Sequence, residues 1–239
     1  MENANIFNAW KDAIESLDII NEIDCLRCIT VNISNICNSN KCPFCPHHYG
    51  WKSSDPKFMS IDTMKAVVDR LNEFKYSGYV VILGKGEPTL NQNLHFLLEH
   101  LDRKDKTILI SNGELGNSDF WDKLSDMCSL KISIHDDSLN DKIRSKISKN
   151  VIFRNHSIKT PELTITNRGG ILHQPEVIRR NCCNYPFYHV AIETSGAYLP
   201  CNQNWVREIC TKYSVFNMSI SDYFIHELEK LRHDLVCDR

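Results

Sequence analysis

Three cysteines lie within nine residues of one another in a polar loop of this 239-residue chain, at Cys37, Cys42 and Cys45. Three thiolates so close in sequence can surround one soft metal centre, and zinc or an iron–sulfur cluster is the chemical candidate. A closed structural zinc site usually has four ligands, and His47 or His48 could supply the fourth. The alternative is a cluster with three protein ligands, which leaves one iron open for chemistry.

A second group of cysteines lies in the C-terminal part of the chain and contributes to a total of 11. It contains Cys182, Cys183 and Cys201, with Cys210 and Cys237 further along. The N-terminus lacks the charged start and apolar stretch of a signal peptide, so we expect a cytoplasmic protein, in which disulfides are rare. An odd number of cysteines cannot pair fully within one chain, and clustered cytosolic cysteines are more typical of metal sites or catalysis.

Charge and hydropathy argue against two classes of partner. The chain has 28 Lys and Arg against 30 Asp and Glu, a formal charge of −2, so no strong field attracts nucleic acid or an anionic membrane. No window approaches the roughly 18 consecutive apolar residues that a membrane helix requires. We therefore predict neither nucleic acid nor membrane as a partner.

Alternating strands and helices must position these loops. Apolar runs predict strands at 29–33, 78–83, 106–110 and 130–134, with weaker candidates at 151–153 and 163–165. Helical spacing predicts a helix that begins at Ser60 and further helices at 93–101, 120–127 and 138–147. This alternation is typical of a parallel sheet, whose ligands bind at the carboxyl ends of the strands. The cysteine loop and the other unusual loops follow those ends, so we predict one site there.

The pattern changes after residue 166. Residues 187–193 and 197–199 flank Thr194-Ser195-Gly196 and predict a β-hairpin, and an amphipathic helix is expected at 221–235. We divide the chain into an N-terminal helical segment (1–28), the sheet domain (29–166) and a C-terminal part (167–239). The last part is too small for a robust core of its own, so we expect it to lean on the sheet or to be held by metal. The scattered Cys25, Cys28 and Cys128 are interpreted as packing residues.

In the order of its motifs the chain resembles the radical SAM enzymes. The cysteine loop is followed by Gly84-Lys85-Gly86-Glu87-Pro88, then by Ser111-Asn112-Gly113, and then by Ser133. The resemblance implies a partial (β/α)6-type TIM barrel with a small C-terminal hairpin and helix as a cap. The first cysteine spacing has four intervening residues instead of three, and Lys85 stands where a glycine is usual.

The resemblance also implies roles for individual residues. Cys37, Cys42 and Cys45 would hold a [4Fe–4S] cluster whose fourth iron is chelated by S-adenosylmethionine. Phe44 would pack near the adenine, and the backbone of the segment from Gly84 to Pro88 would hold the methionyl end. The remaining expected cofactor contacts, to the ribose and the carboxylate, are from Ser111, Asn112 and Ser133.

The second cysteine group resembles the opening of a SPASM or Twitch domain. Cys183, Gly196 and Cys201 have the family's spacing, and Cys182 fits in place of Cys183. Such domains carry one or two auxiliary [4Fe–4S] clusters, and only Cys210 and Cys237 follow. We therefore expect one auxiliary cluster, unless these cysteines are only buried packing residues.

The activity implied by the resemblance is reductive cleavage of S-adenosylmethionine to a 5′-deoxyadenosyl radical, which removes a hydrogen atom from the substrate. We expect oxidation of a small sugar-like or aminocyclitol-like substrate, with a flavodoxin or ferredoxin as electron donor. A ribosomal-peptide maturase remains an alternative, as does an epimerase in which Cys210 returns a hydrogen atom. A non-catalytic iron–sulfur or zinc protein is the alternative of another class.

Overall fold

The apolar segments of the sequence form the strands of one sheet, joined in sequence by helices. The computed structural model describes residues 25–39, 42, 45–49, 55, 57–149, 151–155, 187–200, 202 and 212–230. The strands are β1 (Cys28–Asn32), β2 (Tyr79–Leu83), β3 (Thr107–Ser111), β4 (Ser129–Ile134), β5 (Val151–Asn155), β6 (His189–Ile192) and β7 (Tyr198–Leu199). The helices are α1 (Ile61–Glu73), α2 (Leu94–Leu101), α3 (Ser118–Met127), α4 (Asn140–Lys146) and α5 (Ile220–Asp222). Short 3₁₀ helices cover Pro46–Tyr49, Pro88–Leu90, Lys104–Lys106 and Asp137–Leu139.

The seven strands lie in the order β5-β4-β3-β2-β1-β6-β7, and every neighbouring pair is parallel except β6 and β7. Among the described residues the sheet is open, with β5 and β7 at its edges. This is the parallel sheet predicted from the alternating pattern, with helices between successive strands from β1 to β5, and it agrees with the partial barrel that the family resemblance implies. The predicted strand at 163–165 lies outside the described residues.

The predicted C-terminal hairpin is present, and it extends the main sheet. Strand β6 pairs in parallel with β1, and β7 returns antiparallel beside β6. Gly196 lies in the connecting turn at φ +86°, a left-handed conformation that favours glycine. The described strands of the C-terminal part are therefore attached to the sheet by main-chain hydrogen bonds. Of the two expectations for this part, attachment to the sheet or binding of a metal, the first is observed.

The two faces of the sheet differ because side chains alternate along a strand. One face is apolar and fully buried; it includes Ile29, Val31, Val80, Ile82, Leu109, Leu130 and Ile132. The opposite face, here called the inner face, is more polar; it includes Thr30, Asn32, Val81, Leu83, Ile110, Lys131, Ser133 and His189. Polar residues are rarer on the apolar face, where Thr107 and Ser111 lie at the two ends of β3, so a ligand at this sheet would meet most polar groups on the inner face.

Local sequence signals explain how the first helix begins. The hydroxyl of Ser60 accepts a hydrogen bond from the Thr63 N–H at 3.2 Å, as expected of an N-cap. Met64 and Val67, at helical spacing, are fully buried and join the core. The predicted start of this helix at Ser60 is confirmed.

The last predicted helix differs from its expected form. It begins at Ile220, and Tyr223–Glu227 is π-helical where the sequence predicted an ordinary α-helix from 221. Phe224 and Leu228 are buried as expected of its apolar face. The predicted end, 231–235, lies outside the described residues. Single π-helical turns carry no clear sequence signature, which is why the pattern did not reveal this one.

The cysteines assigned to packing are only partly in the core. Cys128 is fully buried, whereas Cys25 and Cys28 are half-buried. No helix in the described ranges combines the length and the apolar character needed to cross a bilayer.

Candidate active site

Three loops meet at the carboxyl ends of β1, β2 and β3. The cysteine loop follows β1, the segment from Gly84 to Pro88 follows β2, and Ser111-Asn112-Gly113 closes β3. The sequence predicted that these segments would share one edge of the sheet. The structure shows that they are also joined by direct hydrogen bonds.

Two glycines allow the second loop to lie against the backbone of the cysteine loop. A Cβ on Gly84 would lie 2.2 Å from the Ser34 carbonyl oxygen, and one on Gly86 would lie 2.1 Å from that of Ile36. The Gly86 N–H donates to the Ser34 carbonyl at 2.9 Å, and the Glu87 N–H donates to the Ile36 carbonyl at 2.8 Å. The glycines therefore serve close backbone packing, which holds the start of the cysteine loop in place.

The Glu87 carboxylate joins the second and third loops. It is 3% exposed and accepts four hydrogen bonds. The N–H and the hydroxyl of Thr89 donate to Oε1 at 3.0 and 2.7 Å, and the Ser111 hydroxyl donates to the same oxygen at 2.7 Å. The Asn112 N–H donates to Oε2 at 2.9 Å. Burial raises the pKa of Glu87, and these donors oppose that shift.

Asn112 links the hydrogen-bond network around Glu87 to the cysteine loop. Its Nδ2 donates to Oδ1 of Asn38 at 3.0 Å, and its Oδ1 accepts from the Glu114 N–H at 2.9 Å. Nearby, the buried Asn91 side chain donates to the main-chain carbonyls of Ile33 and Met59. The side chains of Ser111 and Asn112 are thus already used to fix the loops.

The three clustered thiols lie in a half-buried, electrostatically coupled group. Cys42 is buried, and Cys37 and Cys45 are half-buried. Burial, with a smaller contribution from the neighbouring acidic groups and thiols, raises the pKa of Cys37 to about 11 and raises that of Cys42 as well. The Cys45 N–H donates to the Cys42 carbonyl at 3.0 Å, and the Ser39 N–H lies 3.5 Å from the Cys37 sulfur.

This donor set fits an iron–sulfur group. The three residues supply only soft sulfur donors, and their thiolates repel one another, so a positively charged centre would stabilise them. Within the described residues, which include these three cysteines, no three His, Cys, Asp or Glu side chains are arranged to hold a single metal ion. The fit to an iron–sulfur group therefore rests on the chemistry of the three sulfur donors. Nε2 of His47, one of the candidate zinc ligands, lies 2.6 Å from the Lys85 carbonyl oxygen.

Lys85 contacts a residue that the sequence did not bring to attention. Its ammonium lies 2.9 Å from Oε1 of Glu193, and both side chains are largely buried. Glu193 directly follows β6, and Asn32, the last residue of β1, lies beside it. Asn32 had one usable signal in the sequence, because it is an amide at the end of a strand of mostly apolar and β-branched residues. Glu193 had no such signal, because only the pairing of β6 with β1 brings it to this place.

A second buried polar pair lies deeper on the inner face. Oγ1 of Thr30 and Nε2 of His189 are 2.7 Å apart, across the β1–β6 pair. Burial lowers the pKa of His189 to about 4, so its ring is neutral near neutral pH. The sequence offered no constellation for His189, because its partner is 159 residues away.

The other predicted residues are placed as follows. Pro88 is buried at the start of a 3₁₀ helix, and Ser133 is half-buried on β4 opposite Arg154 of β5. Asp136 caps the turn that follows β4 by accepting a hydrogen bond from the Ser138 N–H. Predicted residues outside the described part of the chain are Phe44, Cys182, Cys183, Cys201, Cys210 and Cys237.

Comparisons with solved structures show the same fold. BtrN in complex with AdoMet and 2-DOIA has a TM-score of 0.75 at 20% identity, over 88% of this chain and 87% of that chain. Streptococcus suis SuiB bound to precursor peptide SuiA has a TM-score of 0.55 at 16% identity, over 91% of this chain and 68% of that chain. Native anSMEcpe with bound AdoMet has a TM-score of 0.52 at 14% identity, over 88% and 87%. No curated protein sequence matches significantly.

The family itself is shown by the sequence. The family model "Radical SAM superfamily" matches residues 31–162, more than half of the chain. The matched segment contains the three-cysteine loop and the two loops that the structure joins to it. This chain therefore belongs to the radical SAM superfamily.

Proposed function

We propose that this protein is an oxidoreductase that uses S-adenosylmethionine to oxidise a small polar substrate, with Cys37, Cys42 and Cys45 as the ligands of a [4Fe–4S] cluster. The observation that carries the proposal is the direct bonding of the cysteine loop to the segment from Gly84 to Pro88. Three cysteines on an isolated loop would also fit a structural site. Three cysteines on a loop whose neighbouring residues Ser34, Ile36 and Asn38 bond to two further loops, at the ligand-binding edge of a parallel sheet, favour a catalytic site.

When bound, the cluster and S-adenosylmethionine would supply the electron and the hydrogen-abstracting group that begin the reaction. The chain's own residues position that chemistry. Gly86 brings the second loop into contact with the cysteine loop, and Glu87 fixes that loop to Asn112. Backbone groups of the segment from Gly84 to Pro88 would bind the methionyl end. The remaining cofactor contacts would come from Phe44, Ser111, Asn112 and Ser133.

An auxiliary [4Fe–4S] cluster is the second part of the proposal. Cys183, or Cys182 in its place, would act with Cys201, Cys210 and Cys237. The hairpin that these cysteines flank, with its left-handed turn glycine, supports this assignment. Such a cluster would accept the electron released by the substrate, which makes a dehydrogenation the favoured outcome. A flavodoxin or ferredoxin would donate the first electron.

A small substrate is supported by two observations. The structural likeness is greater to BtrN, which was solved with AdoMet and 2-DOIA, than to SuiB, which was solved with a precursor peptide. The inner face also carries a compact group of polar side chains next to the second loop. A peptide substrate is the second candidate, favoured by the likeness to SuiB, and it predicts a loss of mass from a peptide encoded near this gene.

The proposal is tested with anaerobically reconstituted protein reduced by dithionite. We expect S-adenosylmethionine to be converted to 5′-deoxyadenosine, measured by liquid chromatography and mass spectrometry. Cys37→Ala should lose this activity and about half of an iron content of about eight per chain. Cys25→Ala, which changes a cysteine outside the loop, is the matched control and should retain both.

Two results would contradict the proposal. One is a failure of the wild type to form 5′-deoxyadenosine while Cys37→Ala keeps its full iron content. The other is a zinc content of about one per chain without iron, which would indicate a structural metal site.

A further inference from the structure

A cluster of three polar side chains, one fully buried and two largely buried, lies at the carboxyl ends of β1, β2 and β6. It consists of Asn32, Lys85 and Glu193, and we call it the Asn32 cluster. The strands that present it are neighbours, since β1 pairs with β2 on one side and with β6 on the other. The cluster therefore lies at the ligand-binding edge of the sheet, beside the loop that precedes Glu87.

The amide oxygen of Asn32 is an unexplained polar atom. Asn32 has no exposed surface, and its Oδ1 accepts no hydrogen bond from the described residues. Its Nδ2 makes only a long contact, 3.5 Å, to Oε1 of Glu193. A buried acceptor without a donor costs on the order of 1–3 kcal/mol, and a ligand that donates a hydrogen bond to Oδ1 would remove that cost.

Glu193 supplies a second acceptor at the same place. Its Oε1 is occupied by the Lys85 ammonium, whereas Oε2 forms no hydrogen bond with any described residue. The side chain keeps 16% of its surface exposed, so a ligand that reaches Oε2 lies next to the Asn32 amide. The Lys85–Glu193 pair is neutral as a whole, which leaves the cluster with acceptors and no uncommitted positive charge.

An orphaned buried atom alone is not a site, as Thr107 illustrates. Its Oγ1 is also buried without a partner among the described residues. However, Thr107 is the first residue of β3, so it lies at the amino ends of the parallel strands, away from the carboxyl ends that carry the Asn32 cluster. The Asn32 cluster differs because it combines the orphaned atom with an accessible carboxylate oxygen beside the cofactor loops.

We infer that the Asn32 cluster is a substrate subsite that binds a small molecule through two neighbouring hydrogen-bond donors, as in an amino alcohol or a vicinal diol. This assignment rests on the proposed function and specifies its substrate class. Two acceptors, one of them charged, favour hydroxyl and ammonium groups and disfavour carboxylates. Lys85 acts here through Glu193, whose carboxylate it holds in position.

The test measures binding to the reconstituted holoenzyme by saturation-transfer difference NMR. Three compact probes differ in chemistry: serinol (an amino diol), glycerol (a neutral triol) and malonate (a dicarboxylate). We expect serinol to bind most tightly, glycerol more weakly and malonate not at all. Asn32→Leu and Glu193→Gln should each weaken serinol binding about tenfold or more, the effect of one hydrogen bond to a charged or buried group.

Control variants separate a subsite from a folding defect. Thr107→Val removes an orphaned atom at the opposite end of the strands and should leave serinol binding unchanged. The double variant Lys85→Met/Glu193→Gln removes both charges together, so it avoids an unpaired buried lysine and should also lose serinol. Circular dichroism establishes that each variant is folded.

Three results would overturn the inference: malonate binding as tightly as serinol, serinol binding that is unchanged in both single variants, or no serinol binding in folded holoenzyme. The formation of 5′-deoxyadenosine is measured in the same preparations. A preparation that forms it but does not bind serinol refutes the subsite alone. A preparation that does not form it refutes the proposed function on which the subsite rests.

Discussion

Replacement of Glu87 by Gln tests the hydrogen-bond network that joins the three loops. The side chain keeps its shape, but one of its two oxygens becomes an NH₂ group. In the wild type each oxygen accepts from a main-chain N–H, Oε1 from Thr89 and Oε2 from Asn112. Whichever way the amide is oriented, one buried N–H must therefore face the NH₂ group of Gln.

The expected loss follows from that count. A hydrogen bond to a charged acceptor contributes about 1.5–3 kcal/mol, and a buried N–H without a partner costs about 1–3 kcal/mol. The two contributions overlap, so we expect Glu87→Gln to lower the free energy of unfolding by about 3 kcal/mol. The two hydroxyl donors can rotate to accept from the new NH₂ group, which is why the loss does not scale with all four hydrogen bonds.

The assay is urea unfolding under anaerobic conditions, with amide hydrogen exchange of the peptide that contains Asn112 as a local measure. Glu99→Gln, an exposed change on α2, is the matched control and should alter stability by less than about 0.5 kcal/mol. We expect faster exchange at Asn112 in Glu87→Gln only. If Glu87→Gln costs less than about 1 kcal/mol and exchange at Asn112 is unchanged, the carboxylate does not hold these loops together.

Three further predictions concern other buried groups. The pKa of His189 falls from 6.5 to about 4 on folding, so its stabilising contribution is present above about pH 6.5 and is lost as the pH falls towards 4. Acidification from about pH 7.5 to about pH 5.5 should therefore lower the free energy of unfolding of the wild type by about 1.3 kcal/mol more than that of His189→Gln. Equal losses for the two proteins in urea unfolding would refute this prediction. Gly86→Ala places a Cβ 2.1 Å from the Ile36 carbonyl oxygen, so it should lower the free energy of unfolding by about 1–3 kcal/mol and also lower the iron content. If stability and iron content both stay at their wild-type values, the close contact between the two loops is not needed. Asn91→Ala removes the side-chain donor of the Met59 carbonyl and one of the two donors of the Ile33 carbonyl, which keeps the Met59 N–H. The substitution should lower the free energy of unfolding by about 2 kcal/mol in the same assay, whereas a loss below about 0.5 kcal/mol would show that water replaces the amide.

Much of the sheet could be predicted because its signals are local. The Ser60 cap and the helical spacing that follows it lie within a dozen residues, and the predicted strands from β1 to β5 agree with the observed ones to within about two residues. The edge at which the loops meet follows from parallel pairing alone.

The finer arrangement of the site depends on long-range pairing and could not be predicted. The sequence placed Gly84 and Gly86 near the cofactor, but their packing against Ser34 and Ile36 appears only when β1 and β2 lie side by side. Similarly, Glu193 enters the site only because β6 adds to the sheet next to β1. No periodicity or spacing encodes that choice of neighbour.

The position of β1 has a consequence for how the chain is made. The first strand that the structure describes lies inside the sheet, and its second neighbour, β6, begins only at His189. The strand Cys28–Asn32 is rich in β-branched residues. During synthesis, the edge of this strand that pairs with β6 therefore lacks that partner until more than 150 further residues have been made. Unpaired apolar edges recruit other strands, and contacts so distant in sequence form slowly. Fragments that end before His189 should accordingly aggregate, so expression and truncation should be planned around the whole chain.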